Sequence, residues 1–173
     1  MVCSGRPRIL AVVRKRTHDL AMHAVLATVT RVHRVLHRAS GGRLGRRFPG
    51  GQQVVWISTL GRRSGLWRRT PLLAVRDGSP GDRAPFVVAG SNAGQARVPA
   101  WVLNLREHPA GFLEVDGTHW RVGFEEVAGA ERDELYRRLV ASWGGFAGYA
   151  RRAGRPIPVF RVRLVAPVGR PSG

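Results

Sequence analysis

Cysteine is all but absent from this chain of 173 residues: Cys3 stands alone, which excludes an internal disulfide and a thiolate zinc site and suits a reducing cytoplasm. Lysine is as scarce, since Lys15 is the one lysine among 29 basic residues, and only 11 residues are acidic. Long hydrophobic runs are missing too. The longest charge-free stretch near the start, Leu20 to Thr30, is too short to span a bilayer, and Met1 to Thr17 lacks the apolar core of a secretory signal. A cytoplasmic protein is expected, either soluble or resting on the inner face of the plasma membrane. Groupings that serve hydrolysis or metal binding are absent as well. His33 and His37 stand at i, i+4 without a third ligand, and His18, His23, His108 and His119 form no cluster with Ser or Asp. Glu125-Glu126 and Glu131-Asp133-Glu134 read as a strand end and a helix start rather than as a catalytic carboxylate pair.

What is present is a lopsided positive field. Formal charge is +18, and the first fifty residues carry eleven basic groups against the single acid Asp19. Such a field attracts polyanions generally, so nucleic acid, an anionic membrane face and an acidic cofactor all fit it. Because nearly every basic residue is arginine, placement carries more information than abundance. At 43% hydrophobic residues the chain suits one compact domain with one core.

Periodicity organises the chain. Residues 1–16 are basic without a sustained period and are predicted to be mobile. From Thr17, Met22, Val25, Leu26, Val29, Val32 and Leu36 follow helical spacing, which predicts an amphipathic helix over 17–40. That helix packs on the core or lies at a membrane interface, where its basic polar face would suit anionic lipid. A glycine-rich connector, 41–51, leads into a buried strand over Gln53 to Leu60. Strands follow at Thr70 to Arg76 and Phe86 to Ala89, a helix at Pro99 to Glu107, and a hairpin over Gly111 to Val127 turned at Asp116-Gly117. A helix opens near Glu131, a short helix covers Phe146 to Arg152, and a strand over Pro158 to Val165 closes the pattern. The sum is an antiparallel-rich α+β domain or small barrel of about six strands, over 41–166, with a tail at 167–173.

The chemistry concentrates in two loops. Gly61-Arg62-Arg63-Ser64-Gly65-Leu66-Trp67-Arg68-Arg69-Thr70 sets four guanidiniums and two turn glycines between apolar runs. Glycines let backbone N–H groups turn toward an oxyanion, and each Arg offers a planar fork to phosphate or carboxylate, so this is an anion clamp or else a solvated basic hairpin end. Gly90-Ser91-Asn92-Ala93-Gly94 leaves a strand end with small residues, which lets a flat heterocycle approach the backbone, or makes an ordinary turn. Trp101 and Asn104 share a helix face, as do Phe146 and Tyr149; each pair either lines a pocket or packs in the core.

In order, V-V-W-I-S-T-L-G-R-R-S-G-L-W-R-R-T-P-L-L, F-V-V-A-G-S-N-A-G-Q, P-A-W-V-L-N-L-R-E-H-P and F-A-G-Y-A-R-R-A-G-R-P-I-P-V-F resemble the deazaflavin-dependent nitroreductase family of actinobacteria, from about Arg34 to Leu164. The resemblance implies a split β-barrel that binds coenzyme F420, a deazaflavin with a phosphate and a polyglutamate tail. It places Arg62, Arg63, Ser64, Gly65, Arg68, Thr70 and Pro71 on the phosphate and tail. Gly90, Ser91, Asn92, Gly94, Trp101 and Asn104 border the ring, and Phe146 and Tyr149 lie on the substrate side, with Tyr149 or water as proton donor. The implied reaction is hydride transfer to a quinone, an activated alkene or a nitro compound, and FMN is the runner-up cofactor. Arg63 stands where many members have Lys, Ala74 where Tyr is frequent, and Val98-Pro99-Ala100-Trp101-Val102 lacks the family's usual His and Tyr. A non-catalytic cofactor-binding module and a nucleic-acid binder are the competing readings. The latter is disfavoured because Val54 to Leu60 lacks the alternating aromatics of an RNA-reading sheet. The resemblance leaves monomer and homodimer open.

Overall fold

A computed structural model describes residues 51–78 and 83–169. The helix expected over 17–40, the mobile segment 1–16 and most of the connector lie outside these. Six strands form a closed, wholly antiparallel barrel. They are β1 (Val54–Leu60), β2 (Trp67–Arg76), β3 (Phe86–Ala89), β4 (Ala110–Val115), β5 (Thr118–Val127) and β6 (Val159–Val168), in the circular order β1-β2-β3-β6-β5-β4. Three α-helices flank them: α1 (Ala100–Glu107), α2 (Gly129–Ser142) and α3 (Tyr149–Ala153).

Strand alternation divides the apolar residues between two cores. Val55, Ile57, Ala74, Phe86, Val88, Leu113, Val122, Phe124, Phe160 and Val162 fill the barrel, and α1 adds Trp101, Val102 and Leu105 to that interior. The opposite faces of β2, β3 and β6, carrying Leu73, Val75, Val87, Ala89 and Val159, are covered by Leu135, Tyr136 and Leu139 of α2 together with Phe146 and Ala153. Positive φ at both Asp116 (51°) and Gly117 (86°) makes the β4–β5 turn the mirror-image type that matches strand twist. Arg161 fastens α2 to the barrel: its Nε donates to Asp77 at 2.7 Å and its Nη2 to Glu131 at 2.6 Å.

Three boundaries differ from the sequence reading. β2 begins at Trp67 rather than Thr70, because the ladder with β1 runs on through Ser58↔Arg69, Thr59↔Arg68 and Leu60↔Trp67. The segment predicted as one helix from Phe146 is a 3-10 turn, Gly144–Gly148, followed by α3. β6 starts at Val159, not Pro158, whose ring nitrogen has no proton for a ladder, and continues to Val168.

Candidate cofactor site

The early start of β2 shortens the basic loop to Gly61–Leu66 and sorts its arginines. Neighbouring strand residues point to opposite faces, so Arg68 and Arg69 diverge. Arg69 is spent on the outer wall, paired with Glu114 and lying 4.7 Å over the Trp56 ring. Arg62, Arg63 and Arg68 remain at the loop, and among the described residues no carboxylate pairs with any of them. Elsewhere Arg106, Arg137, Arg138, Arg161 and Arg163 all reach acids. The clamp therefore has three guanidiniums to offer instead of four.

Its backbone amides are mostly committed within the protein. Gly61 N donates to Leu66 O at 2.9 Å, while Gly61 O accepts from Ser64 N at 3.1 Å and Gly65 N at 2.7 Å. Leu66 N donates to Ser64 Oγ at 3.4 Å, an oxygen that also accepts from Arg68 Nη2 at 3.4 Å. Gly65 sits at φ 63°, where a side chain would be strained. Most of the amides expected to face an oxyanion thus close the turn, which leaves the loop's side chains as the donors free to meet an anion. Thr70 and Pro71 follow on β2, half-buried, opposite Ile57 and Trp56.

Asn104 connects this loop to α1. Its Oδ1 accepts from Arg62 N at 3.2 Å and its Nδ2 donates to Thr59 Oγ1 at 3.2 Å, both polar atoms lying in a residue only 5% exposed. Asn104 is thereby a brace for the basic loop. Trp101, also 5% exposed, packs its indole 5.4 Å from the Phe160 ring inside the barrel. The next residue, Val102, lies under the second loop, so closely that a Cβ on Gly90 would come within 2.6 Å of Val102 Cγ2.

That second loop holds an unusual backbone. Asn92, Ala93 and Gly94 have φ of 48°, 52° and 80°, a left-handed turn that costs a non-glycine residue such as Ala93 about 1–2 kcal/mol. Asn92 Nδ2 donates to Gln95 Oε1 at 2.8 Å and to Arg97 O at 3.2 Å. Gly94 rests on α3: a Cβ there would lie 3.3 Å from Tyr149 Cα and 3.1 Å from Arg152 Cβ. Ser91 is buried, as is Gln95, whose Nε2 has no hydrogen-bond partner among the described residues.

Of the aromatic pair expected on the substrate side, Phe146 is buried in the outer core, its ring 5.4 Å from Trp143, 5.6 Å from Tyr149 and 6.3 Å from Tyr136. Tyr149 is half-buried against the left-handed turn, and burial pushes its phenol above the ordinary value of 10.0. The Arg152 guanidinium lies 4.8 Å over its ring. Sequence reasoning missed Gln95, Thr59 and the partners of Asn104.

This donor set fits a ligand with an anionic appendage and a flat polar ring: guanidiniums without acids on one side of α1, and on the other a small-residue turn beside the buried donor of Gln95. The F420H(2)-dependent quinone reductase family matches residues 29–164. The chain belongs to that family. Membership makes it an oxidoreductase that works with coenzyme F420, the cofactor expected ahead of FMN, and an enzyme rather than a non-catalytic module. An F420H(2)-dependent quinone reductase of Mycobacterium tuberculosis (strain ATCC 25618 / H37Rv) is 29% identical over 137 residues, covering 75% of this chain and 85% of its own. The solved structure of an F420-H2 dependent reductase (FDR-A) has the same fold, with a TM-score of 0.57 and 25% identity over 64% of this chain and 93% of that one. Another solved chain, described as a domain-swapped dimer, shares the fold at a TM-score of 0.60 and 24% identity, over 77% of this chain and 94% of that one. Among the described residues no helix is long and apolar enough to cross a membrane, and no cluster of His, Cys, Asp and Glu could hold a metal ion.

Proposed function

We infer that this protein reduces a quinone with a hydride from reduced F420, gripping the cofactor's phosphate and glutamate carboxylates with Arg62, Arg63 and Arg68. The observation that carries this reading is three guanidiniums, none with an acidic partner among the described residues, gathered at a loop braced by Asn104, which shares α1 with the residue beneath Gly90. Ser64 and Gly65 shape the grip, and Thr70 and Pro71 continue it along β2. Gly90, Ser91, Asn92 and Gly94 form the wall for the ring, with Trp101 as a rigid support behind it. Tyr149 lies on the acceptor side, and Phe146 holds it from the outer core.

The chemistry that the reduced cofactor brings when bound is hydride donation, which with one proton turns a quinone into a hydroquinone. The chain's own contribution is positioning and the exclusion of water. Tyr149 keeps its proton well past neutrality because burial disfavours the phenolate, so its Oη is the protein's proton source for the hydroquinone anion. A nitro compound or an activated alkene is a weaker candidate, since the family's description specifies a quinone.

The test is anaerobic fluorescence titration of F420, followed by steady-state oxidation of reduced F420 with a soluble naphthoquinone, a nitroaromatic and an enone in parallel. Saturable binding with turnover on the quinone above the other two is expected. Binding without turnover on any acceptor overturns the reading.

A further inference from the structure

Beyond its own hydrogen bonds, the left-handed turn at Asn92–Gly94 is held by one guanidinium from a distant part of the chain. Arg155 directly follows the αL cap of α3, Gly154 at φ 64°. Its Nε donates to Ala96 O at 2.9 Å, and its Nη2 lies 3.2 Å from Arg97 O and 3.3 Å from both Gly90 O and Gln95 O. Its Nη1 donates to its neighbour Pro156 O at 3.2 Å. Four of these five carbonyls flank the turn, Gly90 before it and Gln95, Ala96 and Arg97 after it. No carboxylate among the described residues pairs with Arg155, so its fork of donors is committed to main-chain oxygens.

The segment that carries Arg155 is itself fastened. Arg132 of α2 donates from Nε at 3.0 Å and from Nη2 at 2.8 Å to Ile157 O, and Gly90 N donates to Pro158 O at 2.8 Å. A continuous polar chain thus runs from α2 through residues 155–158 to the loop, while Gly94 is pressed on Tyr149 and Arg152 from the other side.

We propose that Arg155 is a positioning residue for hydride transfer, fixing the wall formed by Gly90–Arg97 against α3 and so setting the separation between the ring side and the Tyr149 side of the site. This rests on the functional reading above. Arg155 touches none of the three guanidiniums assigned to the cofactor's anions, so removing it leaves the grip intact and loosens only the geometry at the reacting end. Misplacement by about 1 Å costs roughly a hundredfold in rate.

The experiment compares Arg155→Lys and Arg155→Ala with the wild type in F420 affinity, kcat for quinone reduction, hydrogen exchange of the Ser91–Arg97 amides and thermal midpoint. Lysine keeps the charge but cannot span the carbonyls as a planar fork. Both variants are expected to lose about 30- to 100-fold in kcat with F420 affinity changed less than about threefold, and to exchange the loop amides faster. Methylguanidinium is expected to restore part of the kcat of Arg155→Ala and none of that of a Tyr149→Phe control. An unchanged kcat in Arg155→Lys overturns the proposal, as does a parallel loss of affinity and kcat, which would mean contact with the cofactor. Loss of folding in Arg155→Ala without any loss of kcat in Arg155→Lys assigns a purely structural role and also overturns it. Absence of turnover in the wild type instead sinks the functional reading, and the exchange data still report whether Arg155 orders the loop.

Discussion

The two loops on either side of α1 are built on opposite principles. Gly61–Leu66 is exposed at Arg63 to Leu66, closes through its own backbone and is tied to its surroundings by Asn104 and by the Arg68 guanidinium on Ser64. Gly90–Arg97 is buried from Gly90 to Ser91 and from Gly94 to Gln95, strained at Ala93, and pinned by Arg155 and α3. On the proposed function, the contrast follows what each loop has to meet. A charged, flexible tail needs strong donors on adaptable side chains and tolerates their movement. A flat ring that must present one carbon to an acceptor needs a wall fixed in advance, and a strained backbone persists only where its surroundings over-determine it.

The contrast can be broken at its strong end. Arg62→Ala with Arg68→Ala removes two charge-assisted contacts worth about 1.5 kcal/mol or more each, so F420 affinity should fall roughly a hundredfold or more. The thermal midpoint should barely move, because neither guanidinium pairs with a described acid. Fluorescence titration and differential scanning calorimetry on the same samples check both halves. Asn104→Leu attacks the brace: it orphans the Arg62 amide and Thr59 Oγ1, costing about 2 kcal/mol, which lowers the midpoint by roughly 4–8 °C and weakens F420 binding more modestly than the arginine pair does. Gly94→Ala loads the rigid loop with a positive-φ side chain against Tyr149. About 1 kcal/mol of stability should be lost, with kcat falling while affinity holds. The smallest effect belongs to the barrel wall, away from both loops. The Arg163 guanidinium holds the Glu125 carboxyl below its ordinary value of 4.5. A lowered folded-state value contributes stability that is present above about pH 4.5 and is lost as pH falls through it. Glu125→Gln should therefore differ slightly from the wild type in thermal midpoint near pH 7, and the difference should vanish on acidification below the lowered value. A difference that grows toward acid pH would contradict the sign.

Much of this was legible in the sequence. The barrel strands declare themselves through β-branched runs bounded by glycine, and the basic loop through four arginines in ten positions. The fate of Arg69 was not legible, because it depends on where the ladder begins, and one more pair of ladder residues sends a neighbouring side chain to the other wall. Asn104 announced a polar group near the site but not its direction. Its partners are an amide 42 positions away and a hydroxyl 45 positions away. Arg155 was quoted only as part of a motif, since its partners are carbonyls, which every residue possesses and no composition reveals; one is 65 positions distant. The left-handed turn has a cue in Asn92 and Gly94 and none in Ala93, whose conformation is imposed by neighbours.

The circular order of the strands has a consequence for how the molecule comes into being. β6 is the last of the described strands in chain order, yet it sits between β3 and β5, with Val162 opposite both Phe86 and Phe124. Until residues near 168 leave the ribosome, Phe86, Val88 and Phe124 have no lid and the cylinder stays open along a seam. β6 must therefore be made before the interior can seal, and a nascent chain stalled ahead of Val159 exposes two adhesive edges to chaperones and to its own copies.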